Sequence, residues 1–291
     1  MTQVAGAKTV RLMLFGLFLI VLFFLVSSLW AFYMSVRPPK ITSRISPKDL
    51  GLNYQTVSFA TDDGVTLRGW FIPHKDAAAA KTIVALHGYP ADKGNILPAL
   101  VFLCERYNLF LFDSRYLGES EGSYSTVGAK EVKDLIAAIA FLRTRGVREV
   151  GVWGFSMGGA VALMTAPSAP EIKAVVSQSS YARLDLLAPA LFRLPVLKSP
   201  LAWLTTLWAK IFLGINLREV SPKDAARDLN IPVLLIHSKH DSMIPFDHAL
   251  MLQESLKNNP KAQFWFDEHL VHGQFAAEYK ERIGGFFDSN L

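Results

Sequence analysis

The sequence contains a single cysteine, Cys104, among its 291 residues. An internal disulfide is therefore excluded, and cysteine pairing gives no indication of the redox compartment. Charged residues are also scarce, at 19%, whereas hydrophobic residues make up 51%. A chain of this composition can bury a large core, which excludes an intrinsically disordered protein and allows one large domain with an appendage.

Two kinds of binding motif are missing as well. The formal net charge is +5, yet no dense run of lysine and arginine with interleaved aromatic residues occurs, so we expect no nucleic-acid partner. The sequence also lacks an H-E-x-x-H motif and a compact cluster of cysteine and histidine. His237 and His240 beside Asp241 therefore do not indicate a metal site, and we expect neither a metal nor another cofactor.

The longest stretch without a charged residue runs from Leu12 to Val36. Roughly 20 apolar residues span the hydrocarbon core of a bilayer, and Trp30 and Tyr33 are typical of the membrane interface. Residues 1–36 therefore predict an uncleaved, single-pass transmembrane helix that contacts membrane lipids. A cleaved signal peptide is the alternative, but the apolar run continues past any cleavage site and lacks an A-x-A pattern. Basic residues flank both ends, so the side of the membrane is undecided.

Short β-rich runs alternate with helical patterns after a basic, proline-containing linker at residues 37–52. This alternation predicts an α/β fold over residues 53–291: a mostly parallel, twisted sheet of about eight strands with helices on both faces. An apolar helical segment at about 181–230, which includes Phe192, interrupts the pattern. We interpret it as a cap inserted above the strand ends, with extra core helices as the alternative. A chain starting near Arg44 is expected to be soluble and active.

A Gly-Phe-Ser-Met-Gly-Gly run at residues 154–159 follows a predicted strand and opens a predicted helix. In this context the G-x-S-x-G motif exposes a nucleophilic serine on a sharp turn, because the glycines avoid clashes with the neighbouring strand and helix. The helix N-terminus behind the serine favours negative charge developing there. Ser156 is therefore the candidate nucleophile, and a purely structural turn is the alternative.

A nucleophilic serine needs a base, and the base needs an acid that orients it. In this fold the chain order is serine, then aspartate or glutamate, then histidine. Asp241 follows the predicted strand Val233–His237, and His272 follows the predicted strand Gln263–Phe266. Loops that follow parallel strands meet over one edge of the sheet, so we expect both side chains to converge on Ser156. Rival candidates for the acid and the base are Asp247, Asp267 and His269.

Over about residues 54–285 the sequence resembles the α/β-hydrolase superfamily, particularly its membrane-anchored, serine-aminopeptidase-like branch. The resemblance implies that the backbone N–H groups of Tyr89 and Met157 donate to the oxyanion of the reaction. Two features depart from the family pattern: Tyr116 occupies a usual glycine position, and no glycine closely precedes His272. The segments that carry the resemblance are His87-Gly88-Tyr89, Asp113 to Gly122, the Ser156 turn, Ser221-Pro222, Ile231-Pro232, Asp241 to Pro245, and His272.

These patterns together predict a membrane-anchored serine hydrolase that cleaves an ester through an acyl-enzyme. The apolar cap and the membrane segment favour a lipid or another hydrophobic acyl ester as substrate. A peptidase or an acyltransferase could use the same triad, since one fold hosts many reactions. A catalytically silent, membrane-tethered binding or scaffold protein is the alternative from another functional class.

Overall fold

The computed structural model describes residues 2–76, 81–191 and 197–291, and an eight-stranded sheet forms its centre. The strand order is β1-β2-β4-β3-β5-β6-β7-β8. Strand β2 is antiparallel to both of its neighbours, and β3 to β8 are parallel. The predicted fold class is confirmed. The strands are β1 (Gln55–Ala60), β2 (Thr66–Ile72), β3 (Thr82–Leu86), β4 (Asn108–Phe112), β5 (Val150–Phe155), β6 (Ile172–Gln178), β7 (Val233–Ser238) and β8 (Ala262–Asp267).

Helices cover both faces of the sheet. Parallel strands are buried on both sides and are therefore apolar at nearly every position, as β3 illustrates. Val84 and Leu86 pack in the cluster with α3, α4 and α8, whereas Ile83 and Ala85 pack in the cluster with α2 and α9. The helices are α1 (Thr2–Val36), α2 (Lys93–Leu100), α3 (Glu131–Thr144), α4 (Met157–Thr165), α5 (Leu184–Leu187), α6 (Lys198–Leu213), α7 (Pro222–Ala226), α8 (Asp247–Ser255) and α9 (Tyr279–Asn290).

Helix α1 is 35 residues long and is long and apolar enough to cross a membrane between Val10 and Val36. Most of its side chains are exposed, but those of Ser28 and Phe32 are buried against the domain. The indole N–H of Trp208 donates to Ser28 Oγ over 3.0 Å, and the Phe32 ring stacks on Phe212 in α6. The last turns of α1 are therefore part of the folded domain.

This packing bears on one expectation from the sequence, that a chain starting near Arg44 is soluble and active. Such a chain would lack the residues of α1 that pack against α6, and the expectation stays a prediction. The linker that follows α1 is also attached to the domain: Lys40 donates to the carbonyl of Ser120 over 3.0 Å, and the Ser43 amide donates to Asp92 over 2.6 Å.

The segment between β6 and β7 contains α5, α6 and α7. Helices α5 and α6, which we call the cap, join Phe32 of α1 in a third apolar cluster, distinct from the two clusters on the sheet faces. Helix α7 instead belongs to a sheet face, where Ala226 is fully buried. Phe192, which the sequence analysis assigned to the cap, lies outside the described residues.

His248 on α8 predicts how stability depends on pH. Its Nδ1 accepts the amide N–H of Ala182 over 2.9 Å, and burial lowers the pKa of His248 from 6.5 to about 4. Between these two pH values the unfolded chain therefore binds more protons than the folded one. The contribution of neutral His248 to the free energy of unfolding is complete above pH 6.5 and is lost as the pH falls through 4. The loss by pH 4 is expected to be about 3 kcal/mol.

Denaturant unfolding of the full-length protein in detergent at pH 7 and pH 4 measures this loss. The His248→Asn variant keeps an acceptor for the Ala182 amide at the position of Nδ1 but has no titratable ring, so its stability should fall by about 3 kcal/mol less. Equal pH dependence in the two proteins would contradict the assignment.

Candidate active site

Ser156 lies on the turn between β5 and α4. Its backbone has φ 54° and ψ −116°, a region that residues with a side chain rarely adopt and that concentrates at functional sites. The Ser156 amide donates to the carbonyl of Gln178 in β6 over 2.8 Å, which holds the turn against the sheet. The side chain borders a cavity and makes no hydrogen bond with any residue that the structure describes. The hydroxyl thus lies at the cavity without a side-chain hydrogen bond to the described residues.

Glycines allow the Ser156 turn to form. A Cβ at Gly154 would lie 2.3 Å from the carbonyl oxygen of Gly158, and a Cβ at Gly158 would lie 2.5 Å from the carbonyl oxygen of Leu86. Both clashes involve backbone atoms, which cannot rotate away as a side chain can. The glycine spacing read from the sequence therefore has a steric cause in the structure.

A Gly154→Ala substitution is expected to destabilise the protein by about 1–3 kcal/mol, since the added methyl group overpacks a closed site. Gly285→Ala is the matched control. Nothing lies within 4 Å of a Cβ at Gly285 in α9, and alanine is the better helix former by about 1 kcal/mol. Thermal unfolding of the two variants should give shifts of opposite sign. Equal stability of both variants would show that the turn tolerates a side chain.

Asp241 and His272 form a hydrogen-bonded pair. His272 Nδ1 lies 2.7 Å from Asp241 Oδ2, and Asp241 Oδ1 accepts the amides of Met243 and Ile244 over 2.9 and 2.8 Å. Burial raises the pKa of Asp241, but the hydrogen bonds from His272 and the Ile244 amide outweigh it and hold this pKa below its ordinary value. The pair is therefore an ionised carboxylate that orients an imidazole.

The imidazole of His272 lies beside the Ser156 turn. Its ring centroid is 4.8 Å from that of Phe155, the residue before the serine. Gly273 follows with φ 84°, and a Cβ there would be 3.7 Å from the Phe155 ring. No hydrogen bond joins Ser156 and His272 within the described ranges, and catalytic hydrogen bonds often tighten only when substrate binds. The structure thus places the histidine and aspartate pair beside the serine turn.

The rival residues have other surroundings. His269 is exposed, and its amide donates to Asp267 Oδ1 over 2.7 Å. The same oxygen accepts the Leu270 amide over 2.8 Å, so Asp267 holds the backbone of the histidine loop. Asp247 lies in the first turn of α8. Neither rival aspartate forms an ion pair with a histidine of the described chain.

Two further histidines are buried near the site. His87 Nε2 accepts the Ser114 amide over 3.0 Å, and Nδ1 donates to the carbonyl of Gly88 over 2.7 Å, which agrees with a structural role in the loop. His237 Nε2 donates to the carbonyl of Ile244 over 2.9 Å. Burial lowers the pKa of His237, so this ring stays neutral beside Asp241.

The two predicted oxyanion donors border the same cavity as Ser156. Met157 is the first residue of α4, and the amides in the first turn of a helix have no partner within it. The amide of Tyr89 donates to no residue in the part of the chain that the structure describes. A Cβ on the preceding Gly88 would lie 3.2 Å from Ser156 Cβ. Both N–H groups are therefore unsatisfied close to the serine.

The cavity beside Ser156 has a volume of about 300 Å³. Its walls come from the cap, from the loops after β3 and β7 and from the end of α1, and no charged side chain occurs among the described lining residues. The sequence patterns did not predict that α1 contributes to the wall of this cavity. The apolar lining residues are Phe32, Met34, Val36, Tyr89, Val127, Met157, Tyr181, Leu184, Leu187, Ala188, Ala209, Leu213, Ile215, Leu217, Met243 and Ile244.

Sequence analysis also missed the loop before α3, which forms another part of the wall. The buried carboxylate of Glu131 accepts hydrogen bonds from Ser125 Oγ over 2.7 Å and from the Gly128 amide over 2.8 Å. Tyr181 donates its hydroxyl to the carbonyl of Val127, whose φ is 52°. The Glu131 carboxylate thus takes the place of backbone acceptors for the polar groups of this loop. The only sign of this arrangement in the sequence is that an acidic residue, Glu131, stands three positions after Gly128.

Comparison with known proteins agrees with this architecture. A family model for the α/β hydrolase fold matches residues 81–218. The uncharacterized protein YfhR of Escherichia coli O157:H7 is 31% identical over 217 residues, which cover 71% of this chain and 69% of YfhR. The thiohydrolase aneE of Aspergillus aculeatus is 34% identical over 131 residues, which cover 43% of this chain and 41% of that protein.

A solved structure extends the likeness to nearly the whole chain. The esterase Pf2001 of Pyrococcus furiosus has a TM-score of 0.73 and 29% identity, covering 88% of this chain and 99% of the esterase. Sheet order, serine turn and relatives all support a hydrolase, and the chain belongs to the α/β-hydrolase superfamily.

Proposed function

We propose that this protein is a membrane-anchored serine hydrolase that cleaves carboxylic esters of hydrophobic acyl groups. The observation that supports it most strongly is the 2.7 Å hydrogen bond between His272 and Asp241 beside the strained turn of Ser156. An ionised carboxylate, an imidazole and a free hydroxyl in this order are the parts that acyl transfer requires.

The reaction follows from these positions. His272 Nε2 takes the proton of Ser156 Oγ while the oxygen attacks the ester carbonyl carbon. The amides of Tyr89 and Met157 donate to the resulting oxyanion, and the Asp241 carboxylate stabilises the imidazolium. His272 then protonates the departing alcohol. Water, deprotonated by His272, cleaves the acyl-enzyme, releasing the carboxylic acid and restoring the serine.

The lining of the cavity favours an ester over a peptide. A serine aminopeptidase, as in the branch that the sequence resembles, must bind the charged amino group of its substrate. The described cavity walls contain no carboxylate for that purpose. An apolar wall instead takes up a hydrocarbon chain, whose burial is favourable in proportion to the area removed from water. A thioester with the same acyl group would meet the same machinery.

Helix α1 supports the membrane part of the proposal. Its charge-free stretch from Leu12 to Val36 exceeds the roughly 20 residues that a bilayer requires, and basic residues flank both ends of the stretch. In this proposal residues 1–36 carry the single-pass span, 37–52 link it, and 53–291 form the hydrolase domain with a cap insertion at about 181–230.

A fluorophosphonate probe tests the proposed nucleophile directly, because only an activated serine displaces fluoride from phosphorus. Intact-protein mass spectrometry of the full-length protein in detergent should show one adduct, and peptide mapping should place it on Ser156. The Ser156→Ala variant should stay unlabelled. Ser168→Ala is the matched control, since Ser168 lies just beyond the far end of α4 with an exposed side chain, and this variant should be labelled like the wild type.

A panel of p-nitrophenyl esters and thioesters of increasing chain length tests the reaction. Ester turnover that depends on Ser156 supports the proposal. Absence of both the adduct and turnover at every chain length would favour the scaffold alternative. Faster acyl transfer to added alcohols or amines than to water would favour an acyltransferase.

A further inference from the structure

One continuous helix supplies both the candidate membrane span and a wall of the Ser156 cavity. At about 1.5 Å per residue, the 20 charge-free residues from Leu12 to Ala31 already match the hydrocarbon thickness of about 30 Å. Phe32, the first lining residue of α1, follows them directly. The cavity wall therefore starts where the proposed span leaves the bilayer.

Two hydrogen bonds fix the end of α1 to the active site. The Tyr89 hydroxyl donates to the carbonyl of Ser35 over 2.8 Å, and the Ser125 amide donates to the carbonyl of Val36 over 2.8 Å. Tyr89 is the proposed oxyanion residue, and Ser125 begins the loop held by Glu131. The last turn of α1 is thus bonded to two walls of the cavity and is not a detachable anchor.

The outer surface around this end of α1 is apolar as well. Trp203 and Phe212 on α6 are 64% and 57% exposed, and Phe212 stacks on Phe32. Trp30 and Tyr33 stack on each other on the exposed side of α1. Aromatic side chains of this kind favour the membrane interface. The cap would therefore rest on the bilayer surface beside the helix.

The size of the cavity limits what can enter. An engineered cavity of about 150 Å³ holds one benzene ring, so 300 Å³ has room for one chain of about 8 to 12 carbons. Two acyl chains of that length would not fit. With its charge-free lining, the cavity suits the hydrocarbon part of a monoacyl ester whose polar part stays outside.

We infer that the last two turns of α1 form the acyl-binding wall and set the chain length, and that the substrate is a monoacyl ester of about 8 to 12 carbons drawn from the adjacent bilayer leaflet. This inference rests on the proposed hydrolase function. It makes Phe32 a specificity-determining residue, because its buried ring faces both the cavity and α6.

A tethered crosslinker tests the wall without relying on turnover. A fluorophosphonate with a ten-carbon chain that ends in a diazirine is reacted with the full-length protein in phosphatidylcholine vesicles, and unreacted probe is removed. After illumination, peptide mapping should place the chain end on residues 32–36 or on the cap residues that line the cavity, which lie between Leu184 and Ala188 and between Thr205 and Leu217. Crosslinks confined to residues 12–31, or to segments outside the cavity, would overturn the inference.

Chain-length preference gives a second readout. The Phe32→Trp variant enlarges the side chain at the wall, so the ratio of kcat/KM for the decanoate over the acetate ester should fall by about tenfold or more. Trp30→Ala is the control, because Trp30 lies on the same helix and is exposed outside the cavity, and its ratio should match that of the wild type. Reaction with a short-chain fluorophosphonate verifies that each variant is folded. If Phe32→Trp is not folded, Phe32→Leu replaces it, and because this variant shortens the side chain at the wall, its ratio should rise instead.

The outcomes separate this inference from the proposed function. Phosphonate labelling of Ser156 with unchanged chain-length ratios in the Phe32 variants would overturn the role of α1 and leave the hydrolase intact. Failure to label Ser156 at all would instead reject the hydrolase, and the inference would fall with it.

Discussion

Ester hydrolysis by the full-length protein is expected to fall by on the order of 10⁵- to 10⁶-fold in kcat when alanine replaces His272, and by a similar factor when alanine replaces Ser156. Without the imidazole, no described group at the turn can take the serine proton. Without the hydroxyl, no acyl-enzyme forms. Because the two residues act as one unit, the double variant should be no slower than either single variant.

His269→Ala is the matched control for this prediction. His269 lies three residues before His272 in the same loop, but its side chain is exposed and only its backbone amide is engaged, with Asp267. Its removal should leave turnover close to that of the wild type. If His269→Ala were the slower of the two variants, the base would have been assigned to the wrong histidine.

Replacing Asp241 with asparagine is expected to lower kcat by about 10⁴-fold. The structure shows why the new amide cannot be accommodated by a flip. Oδ1 of Asp241 accepts two backbone amides, from Met243 and Ile244, so the asparagine oxygen must occupy this position. The NH₂ group then faces His272 Nδ1 and donates to it. The proton of the ring moves to Nε2, which can no longer accept the proton of Ser156.

Asp267→Asn controls for the turn geometry. Asp267 is the last residue of β8 and also accepts two backbone amides on one oxygen, those of His269 and Leu270, yet it holds no imidazole. Its asparagine variant keeps the acceptor and should retain nearly full activity. Comparison of kcat for the two variants at neutral pH checks the assignment of the acid, and a larger loss in Asp267→Asn would assign that role to Asp267.

The elements that the sequence predicted well are those with local causes. Gly154 is required by a backbone contact with Gly158, four residues away, and β5, which leads into the turn, has no polar side chain because both sheet faces are covered. Ser156, Asp241 and His272 were named as candidates because each follows a predicted strand, and the ends of parallel strands meet at one edge of the sheet. These residues could be named without coordinates because each is marked by its neighbours in sequence.

The role of α1 could not be predicted in the same way. A helix that is apolar on all sides carries no periodicity to distinguish the face that contacts lipid from the face that packs on protein. The one signal is that Ser28 and Ser35 lie seven residues apart, with Phe32 between them on the same face. Its partners, such as Trp208 and Tyr89, are distant in the chain, so only the folded structure brings them together.

In the proposed membrane-anchored hydrolase, the bonds that Tyr89 and Ser125 make to the end of α1 would connect catalysis to the physical state of the lipid. Sliding the helix along its axis by one residue moves these carbonyls by about 1.5 Å, enough to break both bonds. A transmembrane helix adjusts its height and tilt when the bilayer thickens or thins. Membrane thickness would thus act on Tyr89, whose amide is a proposed oxyanion donor, and a change in fatty-acid saturation or temperature would alter the rate of the proposed reaction without any change in sequence.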